Sequence, residues 1–281
     1  MENRVITEED IRRFAEYLTG LEYARSSVEK YVRALWALKS WMGGKDVKKE
    51  NLAGWKTHLQ TSGYQSETIN AMLSASNCFF KFQGWEDCRV RYLRIQRKLF
   101  CREEKELSKD EYVRLVEAAE REGKRRLALL METICSTGIR VSEVRYITVE
   151  AVGEGRADIA LKGKIRTILL PGKLRKKLQK YAREQKITTG EIFLTRRGRG
   201  LSRGQIWAEM KSICDKAGVP SSKVFPHNLR HLFARTFYRV CRDVAKLADV
   251  LGHSSIETTR IYLISTGVEH SRRMERLGLI S

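Results

Sequence analysis

The segment that decides the fold of this 281-residue chain reads PHNLRH at residues 226–231, LGHSS at 251–255 and TTRIY at 258–262. His227 and Arg230 are three residues apart, so on a helix their side chains share one face. His253 follows a glycine turn, and Tyr262 follows one short helix later. Imidazoles, a guanidinium and a phenol that converge in this way indicate chemistry on a phosphate. The guanidinium would bind phosphate oxygens, the imidazoles would donate or carry protons, and the phenol could attack as a nucleophile.

The same histidines also allow a metal site. His227 and His231 have the i, i+4 spacing of two ligands on one helix, and His253 and His270 could join them. Against this, no glutamate follows His227, and Arg230 would bring a positive charge to a cation site. We therefore expect no metal and no other cofactor, and we interpret His231 as a neighbour of the site and not as a catalyst.

The charge of the chain indicates an anionic partner. It has 54 Lys and Arg against 34 Asp and Glu, a formal net charge of +20 and a pI of about 9.9. Residues 1–100 carry 17 basic and 12 acidic side chains, hence +5, which leaves +15 for the remainder. So large an excess of positive charge destabilises the folded chain, because like charges repel each other. Nucleic acid is the first partner to expect, with a merely basic, solvated surface as the alternative.

Cysteine usage and hydropathy indicate a cytoplasmic protein. The six cysteines are scattered, none in a Cys-x-x-Cys spacing, which is typical of reduced core residues. The amino terminus has no apolar run that suits a signal peptide, and no stretch of about 18 apolar residues occurs. We expect a soluble protein without membrane contact, associated with the nucleoid if its partner is DNA.

Helical periodicity fills the first part of the chain. Apolar residues recur at helical spacing in four segments, the first after an N-cap at Thr7 and the last opened by Ser66. They predict a small helical domain over 1–88, with aromatic side chains in its core and not as base-stacking platforms: Trp36, Trp41, Trp55, Phe79 and Phe80. Basic residues then crowd 89–106, which we interpret as an interdomain linker along phosphates, or as a solvated linker.

A second domain, mostly helical, is predicted over 107–281. Ser108 and Glu111 fit a capping box, and an apolar helix leads into STGIRVSE at 136–143. Three β-branched or alternating runs separated by glycine turns predict a three-stranded antiparallel sheet, at 147–152, 157–161 and 165–170. Helices carry the rest, including a tail helix at the carboxyl end. The fold class is therefore mainly α (α+β).

These motifs together resemble the tyrosine recombinases, the phage-integrase and Xer-like family. STGIRVSE is similar to the first arginine box of that family, and PHNLRH resembles its His-x-x-Arg box. LGHSS and Tyr262 look like the third catalytic position and the nucleophile, and the turn at Lys162 corresponds to the hairpin lysine. The resemblance covers nearly the whole chain, because the amino-terminal helices resemble the core-binding domain of the family.

The resemblance implies a site-specific DNA recombinase that cleaves and rejoins strands through a 3′-phosphotyrosine. Arg140 and Arg230 would clamp the non-bridging phosphate oxygens and hold the charge of the transition state. Tyr262 would attack phosphorus and release a 5′-hydroxyl. Because the phosphotyrosine keeps the energy of the broken bond, neither ATP nor a metal is required.

The resemblance also implies the proton donors and acceptors. Lys162 would protonate the leaving oxygen, although the hairpin is one residue shorter than is usual in the family and Lys164 competes for this role. His227 would accept the tyrosine proton or share in its transfer, and His253 would donate to a phosphate oxygen. Glu143 would orient the site and balance its positive charge.

Related scaffolds leave other functions open: a type IB topoisomerase, a telomere resolvase, or a DNA-binding regulator on an inactivated recombinase scaffold. The intact set of site residues argues against the regulator. The implied partner is double-stranded DNA with paired inverted half-sites, bound by a homotetramer on two duplexes that forms from free monomers. An amphipathic tail at 268–281 would dock on its own domain or on the neighbouring protomer.

Overall fold

The computed structural model of the chain describes residues 4–95, 105–161, 164–253, 255–260 and 262, with the backbone alone for 161, 164 and 165. The chain divides into two compact units, Met1–Arg97 and Lys98–Ser281. Within the described residues, no helix is both long and apolar enough to cross a membrane.

Residues 4–95 of the first unit form four α-helices: α1 (Glu8–Gly20), α2 (Arg25–Met42), α3 (Lys49–Thr61) and α4 (Ser66–Phe82). The predicted N-cap is confirmed, because Thr7 Oγ1 accepts from the Asp10 amide and the Asp10 carboxylate accepts from the Thr7 amide. The apolar helix faces enclose one core. Trp55, Phe79 and Phe80 are fully buried there as predicted, whereas Trp36 is 41% exposed and does not belong to the core.

The first residues of the predicted linker are bound to α4. Asn77 Nδ2 donates to the Val90 carbonyl (2.9 Å) and Asn77 Oδ1 accepts from the Val90 amide (3.1 Å). Asn70 makes the same two bonds with Leu93, at 2.9 and 2.8 Å. The two asparagines are seven residues apart and so lie on one helix face. This explains a buried Asn77 within an apolar stripe. The predicted linker residues 96–104 lie outside the described residues.

The described part of the second unit is mainly helical, with one two-stranded sheet. Its elements are α5 (Lys109–Arg121), α6 (Arg125–Thr137), α7 (Val149–Glu154), β1 (Arg156–Leu161), β2 (Lys164–Leu169), α8 (Gly172–Glu184), α9 (Arg203–Lys211), α10 (Cys214–Ala217), α11 (Pro226–Cys241), α12 (Val244–Leu251) and α13 (Ile256–Arg260). The capping box predicted at Ser108 and Glu111 is confirmed, since each side chain accepts from the other residue's amide. A mainly α fold with a small antiparallel sheet is likewise confirmed.

The predicted first strand, 147–152, is wrong. Thr148 Oγ1 accepts from the Ala151 amide and begins α7, and Gly155 ends this helix in the left-handed region at φ +83°. The helix signals at both ends outweigh the β propensity of the valines between them. The antiparallel sheet of the described residues therefore has two strands and not three, with Arg156 opposite Leu169 and Leu161 opposite Lys164.

Candidate active site

Helix α11 carries the buried centre of the site. Pro226 stands at its first turn, where a missing N–H costs no helical hydrogen bond. Arg230, one turn later, is only 2% exposed. Its Nη1 donates to the Gly138 carbonyl and its Nη2 to the Leu251 carbonyl (2.8 Å). Arg230 thus ties the ends of α6 and α12 to α11.

Three arginines bind the carboxyl end of α12, where backbone carbonyls lack helical partners and carry partial negative charge. The bonds run from Arg166 Nη1 to the Val250 carbonyl (3.4 Å), from Arg230 Nη2 to the Leu251 carbonyl (2.8 Å) and from Arg140 Nη2 to the Gly252 carbonyl (3.3 Å). Gly252 has φ +62°, and a Cβ there would lie 2.4 Å from Arg166 Cδ. Both its conformation and the close approach of Arg166 favour glycine at this position.

Glu143 is a buried carboxylate with two arginine partners. It is 2% exposed and lies in a 3₁₀ turn, Val141–Tyr146. Oε1 accepts from Arg140 Nη1 (2.9 Å), and Oε2 accepts from the Arg140 amide (2.8 Å) and from Arg166 Nη2 (2.5 Å). These bonds compensate the cost of burying the charge. They also fix one edge of the Arg140 guanidinium, while that side chain remains 40% exposed.

The contacts of His253 define its tautomer. Arg230 Nη2 can only donate, so His253 Nε2, 2.9 Å away, is the acceptor. The proton is then on Nδ1, which donates to the buried Thr259 Oγ1 at 2.8 Å. Burial, together with Arg230 and Arg140, lowers the pKa of His253 to about 4. His253 is therefore neutral at pH 7.

Tyr262 lies among three imidazoles. Its ring centroid is 5.7 Å from that of His227, 4.4 Å from that of His231 and 5.5 Å from that of His253. The side chain is 6% exposed and packs on an apolar cluster that includes Leu251. Burial lowers the pKa of Arg230 to about 10, although the neighbouring Tyr262 side chain acts to raise it. Six of the predicted residues therefore lie in one region: Arg140, Glu143, His227, Arg230, His253 and Tyr262.

The predicted proton donor, Lys162, lies outside the described residues, and of Lys164 only the backbone is described. Both assignments stay predictions. Among the described residues, no three His, Cys, Asp or Glu side chains are grouped so that they could hold a metal ion.

Sequence reasoning missed Arg166 and Thr259. The signal for Arg166 is its register in β2, because alternate residues of a strand share a face. Arg166 therefore lies on the same face as the buried Ile168, whereas Leu169 on the other face is 75% exposed. A charged residue at a core-facing position requires a partner. No sequence pattern of this kind indicates a role for Thr259. Its role is visible only in the structure, where its hydroxyl contacts His253.

The backbone at 105–107 is bound to the same helix as the site. Asn228 Nδ2 donates to the Lys105 carbonyl, and Arg235 Nη2 donates to the Leu107 carbonyl, each at 2.8 Å. Between them on the helix, His231 Nδ1 lies 3.9 Å from Glu106 Oε1. The last residues of the predicted linker, together with Leu107 after it, are therefore held by α11.

We expect the site histidines to make the protein sensitive to acid. Burial, followed by His227, Arg235 and Arg230, lowers the pKa of His231 to about 3, in spite of the nearby Glu106. The unfolded chain, in which histidine has a pKa of about 6.5, takes up protons below that pH that folded His231 and His253 do not bind. The free energy of unfolding should therefore fall as the pH falls from about 6.5 towards 4.

Calorimetry of the full chain between pH 7 and 4.5 measures this effect. His231→Gln should flatten the decrease of the unfolding temperature with acid, and the control His58→Gln, on the surface of α3, should leave it unchanged. Equal slopes for His231→Gln and the wild type would contradict the assignment of acid sensitivity to His231.

Comparison with known proteins identifies the family. Residues 105–267 match the phage integrase family, and residues 11–87 match the phage integrase N-terminal SAM-like domain. The chain belongs to the phage integrase family, the tyrosine site-specific recombinases. The family, the fold class and the kind of enzyme predicted from the sequence are thereby confirmed.

The chain is similar to several Xer recombinases over most of its length. It is 28% identical to tyrosine recombinase XerA of Pyrococcus furiosus over 100% of this chain and 98% of that one. It is 26% identical to XerD of Rhizobium meliloti, over 85% of each chain. A lambda integrase tetramer bound to a Holliday junction has the same fold, with a TM-score of 0.75 at 17% identity, over 93% of this chain and 78% of that one.

Proposed function

We propose that the chain cleaves and rejoins DNA strands through a covalent 3′-phosphotyrosine, with Tyr262 as the nucleophile. The observation that supports this most directly is the position of Tyr262 among His227, His231 and His253, beside the buried Arg230. Attack by the phenol oxygen on phosphorus forms the phosphotyrosine bond, and the bond to the 5′ oxygen breaks.

Two arginines are suited to hold the phosphate. Arg140 keeps one guanidinium edge on Glu143, and its side chain is 40% exposed, so it can reach a non-bridging oxygen. Arg230 has a fixed guanidinium whose Nε has no partner among the described residues. Donors that are already oriented stabilise the charge that develops in the transition state without reorganisation. We assign both arginines to this clamp.

His227 is suited to accept the phenol proton. Burial, Arg230 and Arg140 lower the pKa of His227, so the ring is neutral at pH 7. One of its ring nitrogens is then unprotonated and can accept a proton. His253 differs, because its N–H is bound to Thr259 and its Nε2 accepts from Arg230. Donation from His253 to a phosphate oxygen therefore needs a second proton on Nε2, which the negative charge of a bound phosphate would favour.

The test is a suicide substrate, a duplex nicked so that the short fragment on the 3′ side of the cut, which carries the new 5′-hydroxyl, diffuses away after cleavage. We expect wild-type protein to become covalently attached to the labelled strand on a denaturing gel, without added metal or nucleotide. Cleaved DNA without attached protein, or intact DNA with bound protein, would contradict the proposal.

The partner that we propose is double-stranded DNA with paired inverted half-sites, bound by a homotetramer on two duplexes. The net charge of +20 supports a polyanionic partner. The lambda integrase neighbour was solved as a tetramer on a Holliday junction, which makes the same assembly reasonable for this chain. A cytoplasmic location at the nucleoid follows from a DNA partner. The amphipathic segment 268–281, which would mediate assembly, lies outside the described residues.

We expect binding to be dominated by phosphate contacts and to fall steeply with salt. A protein that touches roughly 6–10 phosphates loses about 10³–10⁵ in affinity between about 50 and 200 mM salt, because counterions are released from DNA. Fluorescence anisotropy with a labelled duplex at a series of NaCl concentrations measures the slope. A nearly flat response would contradict the proposed mode of binding.

A further inference from the structure

We propose that Arg166 is a positioning residue that fixes Glu143 and, through it, the orientation of Arg140 towards the scissile phosphate. The inference rests on the proposed function, since the orientation of Arg140 sets the reaction rate only if Arg140 holds a phosphate. Arg166 belongs to none of the motifs that indicate the site, and it reaches the site from the sheet.

Three neighbours hold the Arg166 side chain at the site: Glu143, the Val250 carbonyl and Gly252. Its Nη2 donates to Glu143 Oε2 at 2.5 Å, and its Nη1 donates to the Val250 carbonyl at 3.4 Å. Its side chain is 15% exposed and passes close to Gly252, where a side chain would displace it. Burial lowers the pKa of Arg166. A guanidinium removed from water at this cost is retained only where its charge has a fixed partner, which here is Glu143.

The contacts of Glu143 explain how Arg166 can act on Arg140. Glu143 Oε2 is shared by Arg166 Nη2 and the Arg140 amide, while Oε1 holds Arg140 Nη1. Without Arg166 the carboxylate keeps Arg140 as its single cationic partner and can turn towards it. The Arg140 guanidinium would then follow the carboxylate away from the position it has now. A displacement of about 1 Å can cost about 10²-fold in rate.

Arg166 is also held together with Arg140 at the end of α12. The two side chains bind carbonyls two residues apart, those of Val250 and Gly252. Arg166 therefore joins β2, the 3₁₀ turn that holds Glu143, and the residues that precede His253. A residue that connects three elements, with its guanidinium bound to Glu143 and to the Val250 carbonyl, can set the geometry of the site without itself touching substrate.

The experiment compares Arg166→Met with a matched control, Arg175→Met. Arg175 also donates to two backbone carbonyls, those of Val152 (3.0 Å) and Gly153 (2.5 Å), but it touches no residue assigned to the site. In single-turnover cleavage of the suicide substrate at saturating protein, we expect Arg166→Met to be slowed about 10²-fold. Arg175→Met should stay within about threefold of wild type, and the affinity of both variants for DNA should be unchanged.

A substrate with a methylphosphonate at the scissile position separates positioning from loss of structure. This linkage lacks one negative oxygen and depends less on an arginine clamp. The rate ratio of wild type to Arg166→Met should therefore shrink to less than about tenfold on it. Arg166→Lys, which keeps a charge for Glu143, should restore part of the rate on ordinary DNA.

Three outcomes would overturn the inference. The first is an equal loss on both substrates, as expected of damaged folding. The second is rescue by a 5′-bridging phosphorothiolate instead, which would indicate a defect in proton donation. The third is wild-type cleavage by Arg166→Met. If wild-type protein forms no adduct at all, the proposed function fails, and that result is distinguishable from each of these.

Discussion

Tyr262→Phe is expected to bind target DNA as tightly as wild-type protein and to form no covalent adduct. Removal of one hydroxyl deletes the nucleophile while the ring keeps its packing against His231 and the apolar cluster. The fold should therefore be preserved and the loss of cleavage complete. The measurement is a denaturing gel of the labelled suicide substrate, with DNA affinity determined in parallel by anisotropy.

Tyr238→Phe is the matched control. Tyr238 packs on the same apolar cluster, from the same helix that carries Arg230. It is also the nearest rival for the nucleophile along the sequence. We expect this variant to form the adduct at the wild-type rate. An adduct that persists in Tyr262→Phe and disappears in Tyr238→Phe would transfer the assignment to Tyr238.

The sequence could indicate which residues would lie close together because these residues belong to short local patterns. His227 and Arg230 share a helix face, and a glycine in the left-handed region precedes His253. Such features depend on neighbours within a few residues of the chain. Once α11 and α12 pack together, Arg230 contacts the Leu251 carbonyl and His253 without the help of any other residue.

At two places in the fold, the periodicity of the sequence does not predict the structure, because helix caps or tertiary contacts outweigh it. Residues 147–152 have the composition of a strand, yet a threonine cap and a terminal glycine make most of the segment helical. Arg166 has the appearance of a solvated strand residue, yet its register places it against Glu143, far away in sequence. Contacts of this kind arise from tertiary packing, so a local pattern shows at most that a partner is needed.

The site as described is rich in arginine and poor in groups that can release a proton. Arg230, with a pKa of about 10, keeps its proton at pH 7, and His253 and His231 are neutral because their pKa values are lowered to about 4 and about 3. The 5′ oxygen nevertheless needs a proton when it leaves. This requirement is the chemical reason to look for a lysine in the segment that connects β1 to β2 in the sequence.

Lys162→Ala is therefore expected to slow cleavage by about 10²–10⁴-fold, the usual contribution of a general acid. A substrate with sulfur at the 5′-bridging position should restore most of the rate, because a thiolate leaves without a proton. The measurement is single-turnover adduct formation on the two substrates, at protein concentrations that saturate the DNA.

Lys164→Ala is the matched control for this prediction, since it removes an identical side chain two residues away in the same hairpin. We expect it to cleave ordinary DNA within about tenfold of wild type and to gain little from the sulfur substrate. If Lys164→Ala instead shows the larger defect together with the rescue, the shortened hairpin has moved the acid to Lys164. If neither variant is rescued, the proton comes from a different group, and His253 with a second proton on Nε2 becomes the first candidate.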